Sequence, residues 1–187
     1  MYGIDRANYV PNRRDAYTDS PQLIGCNATI SAPHMHAHAA ELLLPHLAPG
    51  ASVLDVGSGT GYLTAVFQRL VGSGRVTGIE HIEQLVELGR TNTMRDGFAA
   101  ALADGRLSFV LGDGRKGWAP RAPYSAIHVG AAAPCIHPEL VEQLAAPGRM
   151  IIPVDGTLGQ DLWQVDKDAA GAVSRTKLFP VVVRPCC

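Results

Sequence analysis

Ser52-Val53-Leu54-Asp55-Val56-Gly57-Ser58-Gly59-Thr60-Gly61 is the most informative stretch of this chain. It begins with a short apolar run, which is typical of a strand buried on both faces of a parallel sheet. A loop with glycine at every second position follows, and then come apolar residues at helical spacing: Leu63, Val66, Phe67 and Leu70. A strand, a glycine loop and a helix form the first half of a nucleotide-binding βαβ unit.

The glycine loop favours a positively charged ligand over a pyrophosphate. Glycine lets a ligand approach the main chain closely, here at a helix start with free N–H groups. The spacing is G-x-G-x-G rather than the dinucleotide G-x-G-x-x-G, and the acidic Asp55 precedes Gly57 by two residues. S-adenosylmethionine carries an ammonium and a sulfonium, and Asp-x-Gly-x-Gly-x-Gly is similar to the first motif of Rossmann-type methyltransferases. The alternative is a tight turn in an ordinary α/β domain.

An acidic residue ends the next predicted strand, Arg75–Glu80. Glu80 follows the glycine loop at close to the ~20-residue spacing at which a carboxylate accepts hydrogen bonds from ribose hydroxyls. The alternative roles are a helix N-cap or a surface charge. The loop upstream favours the ribose.

The rest of the chain predicts further strands at residues 107–111, 124–129 and 149–154, and helices near 33–47, 82–95 and 138–144. Residues 160–166 and 173–183, joined by a turn at 168–171, predict an antiparallel hairpin on the sheet edge. We therefore predict a single α/β domain over residues 1–187 with a mostly parallel twisted sheet flanked by helices. It divides into an irregular N-terminal segment (1–30), a cofactor-binding core (31–154) and the C-terminal hairpin (155–187).

Two further residues and one run of small residues are candidates for ligand binding. Ser31 lies where a strand-like segment meets a helix start, so its hydroxyl and nearby N–H groups could hold a carboxylate; plain N-capping is the alternative. Asp113, at a strand end, could accept from an adenine amino group or could simply form a turn. The small residues after residue 129 leave space at the edge where open α/β sheets bind ligands.

Composition narrows the classes of partner. The 187 residues carry a net charge of −1 and no basic run, which disfavours nucleic acid. No stretch approaches the ~20 apolar residues of a membrane span, and we predict a cytoplasmic protein without a signal peptide. The four cysteines form no C-x-x-C motif, and Cys186 and Cys187 are expected to be exposed. His34, His36 and His38 alternate without a further ligand at a telling distance, so no metal is predicted.

Taken together, these motifs resemble the protein-L-isoaspartate (D-aspartate) O-methyltransferase family. The resemblance extends from about Ile4 to near Phe179. Its most specific segments are Asp19-Ser20-Pro21-Gln22, Ala28-Thr29-Ile30-Ser31-Ala32-Pro33-His34-Met35-His36, the glycine loop, Gly112-Asp113-Gly114-Arg115 and Ile127-His128-Val129-Gly130-Ala131-Ala132-Ala133-Pro134.

The resemblance implies a monomeric repair enzyme with a Rossmann-like S-adenosylmethionine-dependent methyltransferase fold. It implies methyl transfer from S-adenosylmethionine to the α-carboxylate of L-isoaspartyl and D-aspartyl residues in damaged proteins, with S-adenosylhomocysteine as product. Ser31 is the implied catalytic residue. The implied cofactor-binding residues are Ala28, Thr29, Ile30, Ser31, His36, Asp55, Gly57, Gly59, Thr60, Glu80, His81, Gly112 and Asp113. The implied substrate-binding residues are Ser31, His36, Gly130 and Ala131.

The chemistry requires neither a general base nor a metal, because a carboxylate with a pKa near 4 is already ionised at neutral pH. We therefore interpret Ser31 as a positioner rather than a nucleophile. Family members usually extend further at both ends, so we expect an N-terminal helical piece and some polar cofactor contacts to be missing. One alternative is thus a truncated relative that binds cofactor or damaged peptide without turnover. Another is a methyltransferase for small acids.

Overall fold

The computed structural model describes residues 3–156 and 159–182. Its strands are β1 (Gln22–Gly25), β2 (Ala28–Ile30), β3 (Ser52–Val56), β4 (Arg75–Glu80), β5 (Leu107–Leu111), β6 (Tyr124–Val129), β7 (Leu144–Gly156), β8 (Gly159–Lys167) and β9 (Val173–Val181). Its α-helices are α1 (Pro33–Leu43), α2 (Tyr62–Val71), α3 (Glu83–Thr93), α4 (Ala99–Ala103) and α5 (Pro138–Gln143).

Seven strands form one sheet in the order β5-β4-β3-β6-β7-β8-β9. The pairs from β5 to β7 are parallel, whereas β8 and β9 pair antiparallel at one edge. Helices cover both faces, as expected when parallel strands are joined by helical crossovers. The predicted α/β fold and C-terminal hairpin are confirmed. The turn falls at the predicted place, where the Gly171 N–H donates to the Asp168 carbonyl over 3.0 Å.

The direction of the strand order changes between β3 and β6. The chain runs outward from β3 through β4 to β5 and then returns to place β6 on the other side of β3. Such a switch leaves a crevice at the carboxyl ends of the two central strands, because their following loops lead away in opposite directions. The glycine loop after β3 and Gly130 after β6 both border this crevice, and the Gly130 N–H donates to the Val56 carbonyl over 2.8 Å.

Helix α2 is buried on nearly all sides rather than on one face. Leu63, Val66 and Phe67 are buried as predicted, but so are Thr64 and Gln68. The reason is that α1, α3 and the N-terminal segment enclose α2 on the side away from the sheet. The helix that follows the glycine loop is therefore a fixed internal element.

The N-terminal segment is more ordered than predicted. It holds two short 3₁₀-helices, Arg6–Asn8 and Arg13–Asp15, and the β1–β2 hairpin. Its first part is tied to the turn between α3 and α4, where the Asp96 carboxylate accepts from Asn8 Nδ2 over 3.0 Å and from the Tyr9 hydroxyl over 3.1 Å. We call these two hydrogen bonds the Asp96 clasp. Because Tyr9 is buried, this segment forms part of the core.

Other boundaries differ from prediction for local reasons. Helix α1 ends at Leu43 rather than near Pro49, because Pro45 lies in a following 3₁₀ turn. Gly97, with φ of +91°, kinks the chain after α3 and allows the unpredicted α4 to begin. Strand β7 starts earlier than residue 149. The predicted end of the hairpin, with Cys186 and Cys187, lies outside the described residues.

Within residues 3–156 and 159–182, none of the helices has the length and apolar character needed to cross a membrane. Cys26 and Cys135 are exposed free thiols.

Candidate active site

A cleft with about 380 Å³ of unfilled space, part of it open to solvent, lies at the carboxyl ends of β3 and β6. We call it the loop hollow, because the glycine loop forms its floor. Its predicted lining residues are Thr29, Ile30, Ser31, His36, Asp55, Gly57, Gly59, Thr60 and Gly130. The structure therefore brings together residues from three separate segments, 29–36, 55–60 and 130, that the family resemblance assigned to one site.

The glycine loop shapes the floor of this hollow. Gly57, Gly59 and Gly61 all have positive φ, so the backbone folds back on itself and enters α2. The hydroxyls of Ser58 and Thr60 are buried beside the hollow and have no hydrogen-bond partner within the described chain. Buried hydroxyls are rarely left unpaired. These two hydroxyls, together with the open space, fit a polar ligand such as S-adenosylmethionine.

Glu80 supports the loop from behind. Its carboxylate accepts from the Gly59 N–H over 3.0 Å and from the His81 and Ile82 N–H groups over 2.8 and 3.2 Å. The side chain is almost fully buried. It thus joins the glycine loop to the start of α3. The contacts with α3 are close to the helix N-cap alternative, although the N-cap residue itself is Ile82, and the bond to the glycine loop was not predicted. A further hydrogen bond to a ribose stays a prediction.

Ser31 follows β2 and precedes α1. The N-cap of α1 is Ala32, so plain N-capping does not explain Ser31. Its carbonyl accepts from Arg6 Nη2 over 2.7 Å. Because Arg6 also donates from Nε to the Ala16 carbonyl over 2.8 Å, it links the N-terminal segment to the segment that carries Ser31.

His36 lies one helical turn into α1 and is buried at the cleft wall. Its Nδ1 is 3.0 Å from Arg6 Nη1, and its ring lies 5.1 Å from that of Tyr62. Burial, and then the positive charge of Arg6, hold the pKa of His36 well below its usual range. His36 is therefore a neutral imidazole at physiological pH.

Asp55 and His128 form a buried pair that the sequence analysis did not identify. Their strands align them directly opposite each other, and His128 Nδ1 is 2.8 Å from Asp55 Oδ1. The Thr64 hydroxyl donates to the other carboxylate oxygen over 2.5 Å. Both oxygens of Asp55 are thus engaged by protein groups. Its predicted contact with the cofactor stays a prediction, and its observed role is to hold His128 in the cleft.

One feature of the sequence could have identified His128 as a site residue. It is a polar residue within the apolar strand β6, close to the end where ligands bind. Ile24, Ser58, Tyr62 and Leu63 also line the loop hollow and were not predicted. Ile24 comes from β1, which the sequence did not identify as a strand.

A second space of about 350 Å³, the apolar hollow, adjoins the first. Its walls are mainly Met35, Ala39, Val129, Ile151, Pro153 and Leu162. The two hollows share Ser31, His36, His128 and Gly130, a set that we call the neck. The neck is the place where ligands in the two hollows would meet.

The remaining predicted residues lie outside the walls of the two hollows: Ala28, Glu80, His81, Gly112, Asp113 and Ala131. Ala131 nevertheless lies behind the loop, because a Cβ added at Gly57 would be 3.7 Å from the Ala131 Cβ. Asp113 forms two hydrogen bonds with the Arg115 side chain, which lower the pKa of its carboxyl to about 2. Its predicted adenine contact, and the contacts predicted for the other residues, stay predictions.

Across the part of the chain that the structure describes, no three His, Cys, Asp or Glu side chains are grouped to hold a metal ion.

Comparison with known proteins agrees with this geometry. A family model described as protein-L-isoaspartate(D-aspartate) O-methyltransferase matches residues 1–186. A protein-L-isoaspartate O-methyltransferase of Triticum aestivum is 58% identical over 175 residues, which cover 93% of this chain and 76% of the relative. The enzyme of that name from Caenorhabditis elegans is 50% identical over 169 residues, covering 89% and 74%.

A solved structure shares the fold over nearly the whole chain. It comes from Plasmodium falciparum, is described as a protein-L-isoaspartate O-methyltransferase, and was crystallised in complex with S-adenosyl-L-homocysteine. The TM-score is 0.88 at 30% sequence identity, and the match covers 98% of this chain and 86% of that one.

Proposed function

Because the chain belongs to the protein-L-isoaspartate (D-aspartate) O-methyltransferase family, we propose that it methylates the α-carboxylate of L-isoaspartyl and D-aspartyl residues in damaged proteins. The observation that carries this proposal is the neck, where the loop hollow meets the apolar hollow at Ser31, His36, His128 and Gly130. A cofactor in the loop hollow and an acceptor in the apolar hollow can therefore come into contact at the neck while each occupies its own hollow.

The loop hollow is the place for S-adenosylmethionine. The Ser58 and Thr60 hydroxyls offer buried polar partners, and Glu80 holds the Gly59 backbone in place behind them. When bound, S-adenosylmethionine supplies a sulfonium methyl group: the carboxylate oxygen bonds to the methyl carbon as the carbon–sulfur bond breaks, and S-adenosylhomocysteine leaves as a neutral thioether.

The neck holds the acceptor carboxylate. Ser31 offers a hydroxyl and His36, as the neutral form bound to Arg6, offers an N–H group. Neither residue needs to remove a proton, because the acceptor is already ionised. Their task is to direct one carboxylate oxygen toward the loop hollow while the surrounding side chains exclude water.

The apolar hollow suits the part of the acceptor that is not charged. Its side chains offer burial for the isoaspartyl methylene and the neighbouring main chain. Because it opens from the neck, an acceptor lying there places its carboxylate beside Ser31 and His36.

The test is transfer of labelled methyl from S-adenosylmethionine to a short isoaspartyl peptide, with the same peptide containing normal aspartate as the matched control. We expect label on the isoaspartyl peptide alone. Equal labelling of both peptides, or none on either by a folded protein, contradicts the proposal.

The same assay separates the alternative functions. A relative that binds without turnover would bind S-adenosylhomocysteine in a calorimetric titration yet transfer no methyl group. A methyltransferase for small acids would lose its peptide activity when a small carboxylate is added in excess. We expect binding, turnover and little competition.

Two finer predictions accompany the function. We propose that the protein acts as a monomer, which sedimentation at several concentrations tests. We also propose a cytoplasmic location, which fractionation of the source cells tests. No nucleic acid is a proposed partner, in keeping with the net charge of −1.

A further inference from the structure

Arg6 is a buried cation that contacts the site without lining it. Only 1% of the residue is exposed. Besides its bonds to the Ser31 and Ala16 carbonyls, its guanidinium carbon lies 5.3 Å from the centre of the Tyr62 ring. Arginine is rarely buried unless it is paired. The burial of the Arg6 charge at this position therefore indicates a specific role.

The contact with His36 fixes the position of a proton. A guanidinium has only donors, so the His36 Nδ1 that lies 3.0 Å from Arg6 Nη1 must be the acceptor. A neutral imidazole that accepts at Nδ1 carries its proton at Nε2. Since the ring lines both hollows, Nε2–H is the donor that His36 has left for a ligand.

The charge of Arg6 has no acidic counterpart in direct contact. In the described ranges, no carboxylate oxygen lies within 4.0 Å of its nitrogens. Its partners are two carbonyls, an imidazole and an aromatic face. The positive field of a buried cation is only weakly screened. It therefore reaches the neck, where the proposed function places a carboxylate.

We propose that Arg6 is a positioning residue for the acceptor: it locks His36 as the Nε2–H tautomer and supplies the positive charge that attracts the acceptor carboxylate to the neck. The inference rests on the proposed function for the identity of the acceptor. Arg6 acts through His36 and through the Ser31 backbone rather than by touching the substrate. As a result, the Nε2–H donor of His36 keeps its proton throughout the reaction.

The first measurement uses the unmodified protein. Long-range ¹H–¹⁵N correlation spectra of labelled histidines report which ring nitrogen carries the proton. We expect His36 to show the neutral Nε2–H pattern throughout the neutral and mildly acidic range. An Nδ1–H pattern, or a protonated ring at neutral pH, overturns the proposal whatever the enzyme's activity.

The second measurement compares Arg6→Met with Arg14→Met, which removes an exposed arginine of the same segment. We expect Arg6→Met to raise the KM for isoaspartyl peptide by at least ~10-fold, as expected for losing a hydrogen bond strengthened by charge. Cofactor affinity should change by less than about two-fold, because a change of that size is smaller than the loss of one charge-strengthened hydrogen bond would cause. Arg14→Met should behave as the wild type.

The pH profile separates positioning from a merely structural role. The charged or titratable groups around His36 are Arg6, His34, His128 and Tyr62. Without Arg6, the Nδ1 of His36 is free to take a proton, and the protonated ring should attract a carboxylate. The deficit of Arg6→Met should therefore shrink as the pH is lowered through the new titration, whereas an equal deficit at every pH contradicts the proposal.

Two further variants keep the test decisive if Arg6→Met does not fold. Arg6→Lys retains the charge, but its N–H donors lie on a single nitrogen and cannot reproduce the three bonds made by separate guanidinium nitrogens. It should therefore fall between the wild type and Arg6→Met in peptide KM. His36→Gln retains a side-chain N–H donor that does not titrate, so its activity should show no gain at low pH. Inactive wild-type protein with the expected His36 tautomer would count against the proposed function and leave the assignment of Arg6 intact.

Discussion

His128 lies directly opposite Asp55 across the two central strands, with its Nδ1 2.8 Å from the Asp55 carboxylate. The acidic residue of the glycine motif thus orients an imidazole in the neck. Across the same space, His36 is oriented by Arg6. Both rings are held through Nδ1 and therefore present their Nε2 edges to a ligand. With Nδ1–H directed at Asp55, a neutral His128 offers Nε2 as an acceptor, whereas His36 offers Nε2–H as a donor.

Replacing Asp55 with Asn should uncouple this pair. In the wild type, one carboxylate oxygen accepts from His128 and the other from Thr64. The asparagine amide has only one oxygen, so one of these two hydrogen bonds is lost. We expect the free energy of unfolding to fall by about 1–3 kcal/mol and turnover to fall with it. Urea denaturation and methyl transfer are the measurements. Asp155→Asn, at an exposed position in β7, is the matched control, and equal behaviour of the two variants would rule out this role.

Ser31→Ala should lower turnover more than cofactor affinity. The hydroxyl lies at the neck, and its loss removes one hydrogen bond to a charged acceptor, worth roughly ten-fold or more in rate. Single-turnover rates and calorimetric titration with S-adenosylhomocysteine give the two quantities. Ser73→Ala, in an exposed turn, is the control. Equal losses of turnover and affinity would contradict the positioning role.

Glu80→Ala should mainly weaken cofactor binding. The carboxylate holds the Gly59 N–H as well as two N–H groups at the start of α3. We expect the Kd for S-adenosylmethionine to rise by roughly ten-fold or more, the equivalent of one hydrogen bond to a charged group. Glu87→Ala removes an exposed carboxylate from α3 and should leave the Kd unchanged. An unaltered Kd in Glu80→Ala would argue against both the loop support and the ribose contact.

Gly61→Ala and Gly171→Ala test crowding separately from backbone strain. Both glycines have φ of +87°, but a Cβ at Gly61 would lie 2.9 Å from Phe109 Cζ, whereas one at Gly171 meets nothing within 4 Å. Both variants should lose about 1–2 kcal/mol of stability from the left-handed backbone. Gly61→Ala should lose a further ~1–3 kcal/mol from overpacking. Thermal and urea unfolding measure the difference, and equal losses would show that the loop adapts to the extra methyl group.

Acid should destabilise the protein through His36. The native state holds the pKa of His36 well below the unfolded value of 6.5, so the unfolded chain binds an extra proton first as the pH falls. Stability from this group is therefore complete above about pH 6.5 and declines below it, by at most ~1.4 kcal/mol per pH unit. Urea midpoints at pH 7.5 and 5.5 should differ less in His36→Gln than in the wild type. His38→Gln, at an exposed position of the same helix, should retain the wild-type difference.

Much of the fold was predictable because its signals are local. Strands β5 and β6 match the predicted ranges, since short apolar runs between turn residues mark buried strands. The placement of Gly57 and Gly130 at one cleft also followed, because parallel strands end at a common edge. Ser31 follows β2 of a separate antiparallel pair, and only the family resemblance placed it at this site. These inferences needed no knowledge of which strand lies beside which.

What the sequence did not reveal depends on distant neighbours. The Asp55–His128 pair exists only because β6 returns to lie beside β3, a fact of topology rather than of residue pattern. The burial of Arg6 was equally hidden, since arginine is normally exposed and its partners come from residues 16, 31 and 36. The burial of Thr64 and Gln68 on α2 required knowledge of the segment that covers them.

The Asp96 clasp also has a consequence for how the protein folds. It joins Asn8 and Tyr9 to a residue 88 and 87 positions further along the chain, and such distant contacts carry a large loop-closure cost early in folding. Arg6 belongs to the same short segment, so we expect its final docking to follow the assembly of α3, to which the clasp ties that segment. We therefore expect the acceptor site to mature late in folding. During refolding, the ability to bind cofactor should recover before the ability to bind damaged peptide.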